Sequence, residues 1–431
     1  MATFSASMAD TALNKEGDGA MALGKLAVDY EKRVDYERLR REKLQKVKAE
    51  MERDGVGAII TWDPDNMRYI ASYYVTTPMR ASEYQAIFIA RNGEPHLIGG
   101  GIPAETHRRM PWLAGVQGSF GMPRLSARDT SNPVLQAWIG GIAELMAQYG
   151  VEKETLGIDG STLEHLFVEG FKQKGITAVH CKPTLDAARM IKTADEIELI
   201  KMACSNSERA FAAIADAIRP GVRECDLVGI GLKELYMEAV DHTEDFVCCS
   251  GDNTNPFGWS FTDRMIRPGD LVYVDCDGAS YQGYKTCIYR TFCCGKATDH
   301  QKALFAEAKE MLYAAMDIVK DGITDYDIFE AWPDSPQYWG WDKFNEINSL
   351  CCGHGIGLTL HDPPMLLYMH KVLGVPPTTI KTNMVLALET YAGKRGGQHG
   401  VRIEDMVLVK DDGYELLSRF PQELIECWLP Y

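Results

Sequence analysis

The sequence predicts an α+β protein with a smaller N-terminal mixed α/β domain over residues 30–185 and a larger C-terminal domain over residues 186–431. A chain of 431 residues is too long for one ordinary hydrophobic core, so two domains are expected. The composition, with 45% hydrophobic and 25% charged residues, is typical of a folded globular protein. Short apolar runs alternate with amphipathic segments along most of the chain, which favours strands and helices packed in layers.

Charge and composition argue against several classes of function. A formal net charge of −16 disfavours nucleic acid or an anionic membrane as a partner, because phosphate groups would be repelled. No uninterrupted apolar run approaches the ~20 residues that a membrane-spanning helix needs. Residues 1–29 lack the apolar core of a secretory signal and predict a polar, mobile arm. We therefore expect a cytoplasmic protein whose twelve cysteines are mostly reduced.

The N-terminal domain is predicted to begin with an amphipathic helix. The charged stretch at residues 30–52 has apolar side chains at helical spacing and stops at Asp54-Gly55. Short apolar runs and helical segments then alternate, with Gly-containing turns between them. They predict strands at 56–62, 84–90 and 95–100, a helix at 135–149, a strand within 151–160, a helix at 163–175 and a strand at 178–181.

The C-terminal domain is predicted to open with a long helix, because residues 188–218 keep an apolar stripe at helical spacing. A turn and a further helix start follow at 219–228. The strands at 271–278 and 286–292 predict a hairpin with its turn at Gln282-Gly283. A helix at 300–322 and strands at 384–390 and 402–410 complete the pattern.

Potential metal ligands lie on these predicted strands. Asp275 and Asp277 are two residues apart, which turns both side chains to one face of the hairpin, and Cys287 is expected on the same face. His354 in GHGIG, Glu389 in ALETY and Glu404 in VRIEDM complete the set. Carboxylates with one imidazole suit Mn, Fe, Co or Zn, and bridging carboxylates would permit two ions.

A second histidine and its neighbour are candidates for proton transfer. His361 lies seven residues after His354, in a stretch with glycines and prolines, and Asp362 follows it directly. An imidazole in such a position can act as a general acid or base near neutral pH.

Taken together, these segments resemble the creatinase/aminopeptidase-P superfamily over residues 30–425. ARMIKTADEIELIKMA resembles the helix that opens its catalytic domain, SGDNTNP its substrate-side loop, and DCDGASYQGYKTCIYRTF its first metal hairpin. GHGIGLTLHDPP, MVLALE and GVRIEDMVLV resemble its remaining metal and catalytic segments. The resemblance implies that the C-terminal domain is a catalytic domain with the pita-bread fold.

The resemblance also implies roles for individual residues. Asp275, His354, Glu389 and Glu404 match four of the five ligands that hold two metal ions in metal-dependent members of the superfamily. Cys287 stands where a second aspartate is expected, and a thiolate is softer and cannot bridge two ions as a carboxylate does. One ion, two ions and no ion all remain open.

Two further departures concern the substrate. Near Phe257, where peptidases of the superfamily carry a histidine, this chain offers aromatic residues that could hold a small cation or zwitterion through their ring faces. They are Phe257, Trp259, Tyr281 and Tyr284. The DxD hairpin and the TNP segment also resemble the dimethylsulfoniopropionate lyases of the superfamily. Their catalytic aspartate falls at the position of Leu360 here, which leaves Asp362 as the candidate base.

The main hypothesis is a metal-dependent hydrolase of the aminopeptidase-P or prolidase type that cleaves an amide or related C–N bond in a small, non-peptide substrate. In it Glu389 would bridge the metal or take a proton, and His361 would steady the oxyanion. The alternatives are a lyase acting on a small sulfonium or ammonium zwitterion, a metal-independent creatinase-like or ectoine-hydrolase-like enzyme, and a non-catalytic binding protein. The resemblance further implies a homodimer.

Overall fold

A computed structural model of the chain describes residues 34–80, 82–256, 258–346 and 351–428. The predicted arm at residues 1–29 lies outside this part of the chain. None of the described helices is both long enough and apolar enough to cross a membrane.

The N-terminal part of the fold is a six-stranded mixed sheet with the strand order β4-β3-β2-β1-β5-β6. Strand β1 is antiparallel to β2 and parallel to β5. The elements, in chain order, are α1 (Tyr36–Arg53), β1 (Val56–Thr61), α2 (Pro64–Ala71), β2 (Ala86–Ala90), β3 (His96–Ile98), α3 (Pro103–Arg109), β4 (Gly115–Gln117), α4 (Pro133–Gln148), β5 (Thr155–Asp159), α5 (Glu164–Gln173) and β6 (Ala178–His180).

Helices cover both faces of this sheet. Successive side chains of a strand point to opposite faces, and Ile59 of β1 shares a buried cluster with Val47 of α1. The next residue, Ile60, shares a different buried cluster with Trp138 of α4 and Phe167 of α5. Burial on both faces explains why these strands are near-continuous apolar runs rather than alternating ones.

The link between the two parts of the chain is a pair of helices, α6 (Lys182–Met190) and α7 (Ala194–Ala217). Helix α7 begins at a capping box: the Thr193 hydroxyl accepts from the Glu196 N–H, and the Glu196 carboxylate accepts from the Thr193 N–H at 2.8 Å. The stretch predicted as one long helix is therefore two helices. Helix α6 also crosses the predicted domain boundary at residues 185 and 186.

The C-terminal part contains two larger sheets and one small hairpin. One sheet has the strand order β17-β11-β8-β7, the other has the order β13-β12-β14-β15-β16, and β9 pairs with β10. The elements are α8 (Glu224–Met237), β7 (Val247–Ser250), β8 (Leu271–Asp275), β9 (Ala279–Tyr281), β10 (Tyr284–Thr286), β11 (Tyr289–Cys294), α9 (Asp299–Met316), α10 (Asp325–Phe329), β12 (Cys351–Gly355), β13 (Asp362–Leu367), α11 (Tyr368–Leu373), β14 (Val385–Ala392), β15 (Val401–Lys410), β16 (Gly413–Leu416) and β17 (Ile425–Cys427).

The predicted metal hairpin is present, divided into an inner and an outer pair of strands. Strands β8 and β11 pair with Asp275 opposite Tyr289, whereas β9 and β10 form a separate two-stranded ladder. The turn falls at Gln282-Gly283, as predicted, with positive φ at both residues. The loops between the two pairs place Asp277 and Cys287 beside the end of β8.

Candidate metal centre

Strands of both larger sheets bring the predicted ligands together. Asp275 ends β8, and His354 lies on β12 opposite Ala387 of β14. Glu389 of β14 and Glu404 of β15 are direct cross-strand partners, so their side chains share one face of the sheet. Two like charges in opposite positions repel each other. A cation between them would turn that repulsion into attraction.

Glycines on both sides of His354 allow the backbone to approach closely. A Cβ at Gly353 would lie 2.4 Å from the carbonyl oxygen of Ala387, and one at Gly355 would lie 2.3 Å from the carbonyl oxygen of Pro363. Because real Cβ atoms do not come so near to backbone oxygens, only glycine fits at these two positions. The tight packing on both neighbouring strands fixes the direction of the His354 ring.

Cys287 belongs to two groups of potential ligands. Its sulfur lies within 4.8 Å of ligand atoms of His354 and Glu404, and within the same distance of ligand atoms of Asp275 and Asp277. The Cys287 Sγ is 3.5 Å from Asp275 Oδ2 and 3.6 Å from Asp277 Oδ1. The cysteine is thus the one residue common to both groups among the described residues.

The donor atoms fit a metal ion because several of them are buried without a partner. Nδ1 of His354 faces the carbonyl oxygen of Gly355 at 2.9 Å, so this nitrogen carries the proton and Nε2 presents its lone pair. His354 Nε2 and both carboxylate oxygens of Glu404 are buried and find no hydrogen-bond partner in the described chain. Burying such groups is costly unless a cation satisfies them.

The pKa shifts follow from the same burial. Burial raises the pKa of Asp275, Cys287 and Glu404 well above their usual values, and neighbouring carboxylates raise them further. Burial, with the neighbouring His361, lowers the pKa of His354 to about 3. A metal binds carboxylates and thiols in their deprotonated forms, so metal binding here would release protons.

A cavity of about 310 Å³ opens onto this cluster. Four of the six ligand candidates line it, namely all but His354 and Glu404. The rest of the lining comes from Asp245, Val247, Trp259, Tyr289, His361 and Arg402. Arg402 stacks its guanidinium over the Tyr289 ring, 3.8 Å from the centroid, and forms an ion pair with Glu389. This contact holds the Glu389 carboxylate at the edge of the cavity.

His361 lines the cavity and is an exposed residue, so it lies at the mouth of the cavity. Part of its ring is accessible to solvent, and the ring packs edge-on against that of His354 with 4.4 Å between centroids. Burial of the rest of the ring lowers its pKa. The imidazole is therefore mostly neutral at pH 7 and can donate or accept a proton.

Asp362 is not available as a general base, in contrast to the expectation from sequence. It is fully buried and accepts two hydrogen bonds from the Arg189 guanidinium, at 2.9 and 3.2 Å, with Lys192 Nζ 3.9 Å away. Despite burial, these cations lower the pKa of the Asp362 carboxyl. Asp362 does not line the cavity, and its ion pair with Arg189 holds the first residue of the strand that follows His361.

The four aromatic residues expected around the substrate do not all line the cavity. Trp259 lines the cavity, and Phe257 lies outside the described residues. Tyr281 and Tyr284 pair with each other beside the turn at the outer end of the hairpin, which is the end remote from Cys287. The hydroxyl of Tyr284 donates to Glu196 at 3.2 Å. The sequence suggested that Tyr281 and Tyr284 lie near the site because they are close to Cys287 along the chain. The turn at Gln282-Gly283, however, puts them at the other end of the hairpin.

Four residues that line the cavity were not among the candidates from the sequence: Asp245, Val247, Tyr289 and Arg402. Arg402 had a usable signal, because it lies two residues before Glu404 on a strand and so shares its face. Asp245 precedes β7 in an irregular segment and had no such signal.

The fold and this cluster define a two-domain, metal-dependent hydrolase, and comparison with known proteins agrees. The model of metallopeptidase family M24 matches residues 198–411, and that of the creatinase/prolidase N-terminal domain matches residues 43–191. An Xaa-Pro dipeptidase of Pyrococcus furiosus is 32% identical over 281 residues, which cover 63% of this chain and 76% of the relative. The chain belongs to metallopeptidase family M24, within the creatinase/aminopeptidase-P superfamily, and the family implies a divalent metal cofactor.

Two further relatives extend the likeness to nearly the whole chain. The dimethylsulfoniopropionate lyase DddP of Roseovarius nubinhibens is 23% identical over 424 residues, covering 94% of this chain and 91% of the relative. The crystal structure of a dipeptidase from Pyrococcus horikoshii superposes with a TM-score of 0.70 at 20% identity, covering 89% of this chain and 99% of that one. This superposition supports the predicted pita-bread fold.

Proposed function

We propose that this chain hydrolyses an amide or related C–N bond in a small substrate that carries a positive charge, with Cys287 as a thiolate ligand of its metal centre. The buried, unpartnered His354 Nε2 and Glu404 oxygens are the observation that carries the proposal. A divalent ion held by Asp275, Asp277, Cys287, His354, Glu389 and Glu404 would lower the pKa of a bound water and polarise a carbonyl.

The protein's own residues supply the remaining steps. Glu389, held by Arg402, is placed to accept a proton from the attacking water. His361 is neutral at pH 7 and at the cavity mouth, so its N–H can donate to the oxygen that gains charge during attack. Both residues line the same cavity.

The lining residues that are not ligand candidates favour a small cation or zwitterion. The Asp245 carboxylate and the Trp259 ring attract a positive group, and the Arg402 guanidinium attracts a carboxylate. A cavity of about 310 Å³ is at the lower end of the range for small-molecule sites. We therefore favour a substrate the size of a dipeptide or a smaller amide.

The test is hydrolysis after metal reconstitution. Chelated protein is reloaded with Mn²⁺, Co²⁺, Zn²⁺ or Fe²⁺ and supplied with Xaa-Pro dipeptides and with small amides that carry an amine or quaternary ammonium group. We expect activity that chelation removes and metal restores in the wild type and in His165→Ala, which changes an exposed histidine. His354→Ala should not be restored. Activity that survives chelation would overturn the metal-dependent mechanism.

The second candidate is elimination from a sulfonium zwitterion. The whole-chain likeness to a dimethylsulfoniopropionate lyase favours it. Leu360 at the expected base position and the ion-paired state of Asp362 weigh against it. Dimethyl sulfide released from dimethylsulfoniopropionate by the metal-loaded protein, without hydrolysis of any amide, would replace the first proposal by the second.

A further inference from the structure

A second cavity, of about 180 Å³, lies between the N-terminal domain and the β9–β10 hairpin. Helices α1 and α2 form one side of it, and the turn of the hairpin forms the other. Its lining includes Arg40, Lys43, Arg68, Trp112, Gln282 and Tyr284. We refer to it as the interdomain cavity. The metal-centre ligands do not line it.

Lys43 is the unusual residue of the interdomain cavity. Its side chain is buried, with 2% of the residue exposed, and no described residue forms a hydrogen bond or ion pair with it. Its ammonium nitrogen lies 5.3 Å from the centroid of the Tyr69 ring. The Glu196 carboxylate pairs instead with Lys46, at 3.8 Å. Burial lowers the pKa of Lys43 to about 8, and the Glu196 carboxylate only partly opposes that shift. A buried ammonium with no ion pair of its own is unfavourable.

A second cation without an ion pair lies beside it. The Arg40 guanidinium stacks over the Trp112 ring, 4.1 Å from the centroid, and forms no ion pair with a described residue. The third cation, Arg68, differs because it pairs with Asp241 at 2.7 Å. The lining of the cavity therefore has three cations and no carboxylate, and only one of the three cations is in an ion pair with a described residue.

We propose that the interdomain cavity binds a small oxyanion of the phosphate or carboxylate class, held by Lys43 and Arg40. Guanidinium groups bind such anions through two parallel hydrogen bonds, and an ammonium adds a point charge. A volume of about 180 Å³ accommodates one oxyanion with a small substituent. This site is separate from the proposed hydrolytic function and does not depend on it.

The position of the site predicts that the anion ties the two parts of the fold together. Arg40 and Lys43 belong to α1, whereas Gln282 and Tyr284 belong to the hairpin that leads to Cys287. A ligand that binds the folded protein alone stabilises it in proportion to its concentration and affinity. Phosphate should therefore raise the thermal unfolding midpoint more than chloride at equal ionic strength.

The experiment is titration calorimetry with inorganic phosphate and, separately, with succinate. It compares wild type, Lys43→Met and the control Lys48→Met, which alters a lysine of the same helix that pairs with Glu94 at 3.3 Å outside the cavity. We expect wild type and Lys48→Met to bind at least one of the two anions equally well. Lys43→Met should bind it about tenfold more weakly or worse, the loss expected for one charge-assisted contact.

Chelated and metal-loaded protein are both titrated, because phosphate also binds metal ions. Binding that is equal in the two forms supports the interdomain site, and binding that chelation abolishes overturns it. Absence of binding of both anions to wild type, or equal binding by Lys43→Met, also overturns it. If Lys43→Met does not fold, Arg40→Gln tests the same site, and wild-type affinity in that variant contradicts the proposal.

Discussion

Cys287 is the only sulfur donor among the six ligand candidates, which otherwise offer four carboxylates and one imidazole. Its sulfur is common to the His354/Glu404 group and to the Asp275/Asp277 group. We predict that Co²⁺-loaded wild type shows a sulfur-to-metal charge-transfer absorption that Cys287→Asp and Cys287→Ser lose. Cys287→Asp should also gain a second equivalent of metal, because a carboxylate can bridge two ions through its two oxygens whereas a thiolate offers one donor atom.

The control for this spectrum is Cys276→Ser. Cys276 is also fully buried and lies next to Asp275, but it is absent from both ligand groups. It should keep the charge-transfer absorption unchanged. An absorption that persists in Cys287→Ser would show that another cysteine supplies the sulfur.

Glu404 and its neighbour Asp405 are both buried carboxylates, but they differ in their hydrogen bonds. Both are fully buried, but Glu404 has no hydrogen-bond partner in the described chain, whereas Asp405 accepts from Arg290 at 2.7 Å and from Ser418 at 2.5 Å. We predict that Glu404→Gln changes the free energy of unfolding of metal-free protein by less than about 1 kcal/mol, because burial raises the pKa of this carboxyl and so already favours its neutral form. The same substitution should weaken metal binding, because an amide is a poorer ligand than a carboxylate. Asp405→Asn should lower the free energy of unfolding by about 2–3 kcal/mol, because it disrupts hydrogen bonds that the carboxylate accepts.

Urea unfolding of chelated protein, with metal analysis of the reloaded variants, checks this pair. Equal destabilisation by both substitutions would mean that Glu404, like Asp405, makes stabilising contacts within the metal-free protein, which would contradict its role as a metal ligand without other partners.

At the scale of single residues, the sequence predicted which side chains come together better than it predicted their burial and their ion pairs. The six ligand candidates lie close together, but Asp277 and Cys287 do so from loops and not from the strands that periodicity predicted for them. Asp362 and Tyr284 were misjudged, since their partners, Arg189 and Glu196, are distant in sequence. Burial and ion pairing are set by such long-range contacts.

Among the elements, the β9–β10 hairpin links the metal centre to the interdomain cavity. Gly283 has φ 91° in its turn, and a Cβ there would lie 2.7 Å from Cδ and Nε of Arg68. We predict that Gly283→Ala destabilises the protein by about 1–2 kcal/mol, because alanine is strained at positive φ and displaces Arg68. Gly413→Ala, at a site with open space around it and no positive φ, should be nearly neutral.

Thermal unfolding of the two variants side by side is the measurement. Equal midpoints would mean that the turn tolerates a side chain and that Arg68 moves aside without cost.

Elements with strong periodicity were predicted well, and short ones were missed. Strands β1 and β2 and helices α4 and α5 all have buried apolar stripes that the sequence displays. Helix α2 was missed because its start, Asp63 followed by Pro64, was interpreted as a turn. The Asp63 side chain caps this helix by accepting from the N–H of Asn66 at 2.8 Å.

At the scale of the whole molecule, a buried polar network joins the N-terminal sheet to the strand after His361. Asn66 donates to Asp159 of β5 at 2.8 Å and accepts from Arg189 of α6, which in turn holds Asp362 of β13. The network crosses from one part of the fold to the other. It positions the segment of His361 through side chains that do not line the cavity beside the ligand candidates.

We predict that Arg189→Met lowers the free energy of unfolding by about 3 kcal/mol, because it leaves the Asp362 carboxylate buried with only Lys192, 3.9 Å away, to balance it. Lys182→Met, on the same helix but with a half-exposed lysine that pairs with Asp186, should leave the unfolding midpoint unchanged. Arg189→Met/Asp362→Leu should recover much of the loss, since the unpaired charge is then gone. If the double variant is no more stable than the single one, Arg189 acts mainly through Asn66 and Asp186, and the path from the N-terminal sheet to His361 does not run through Asp362.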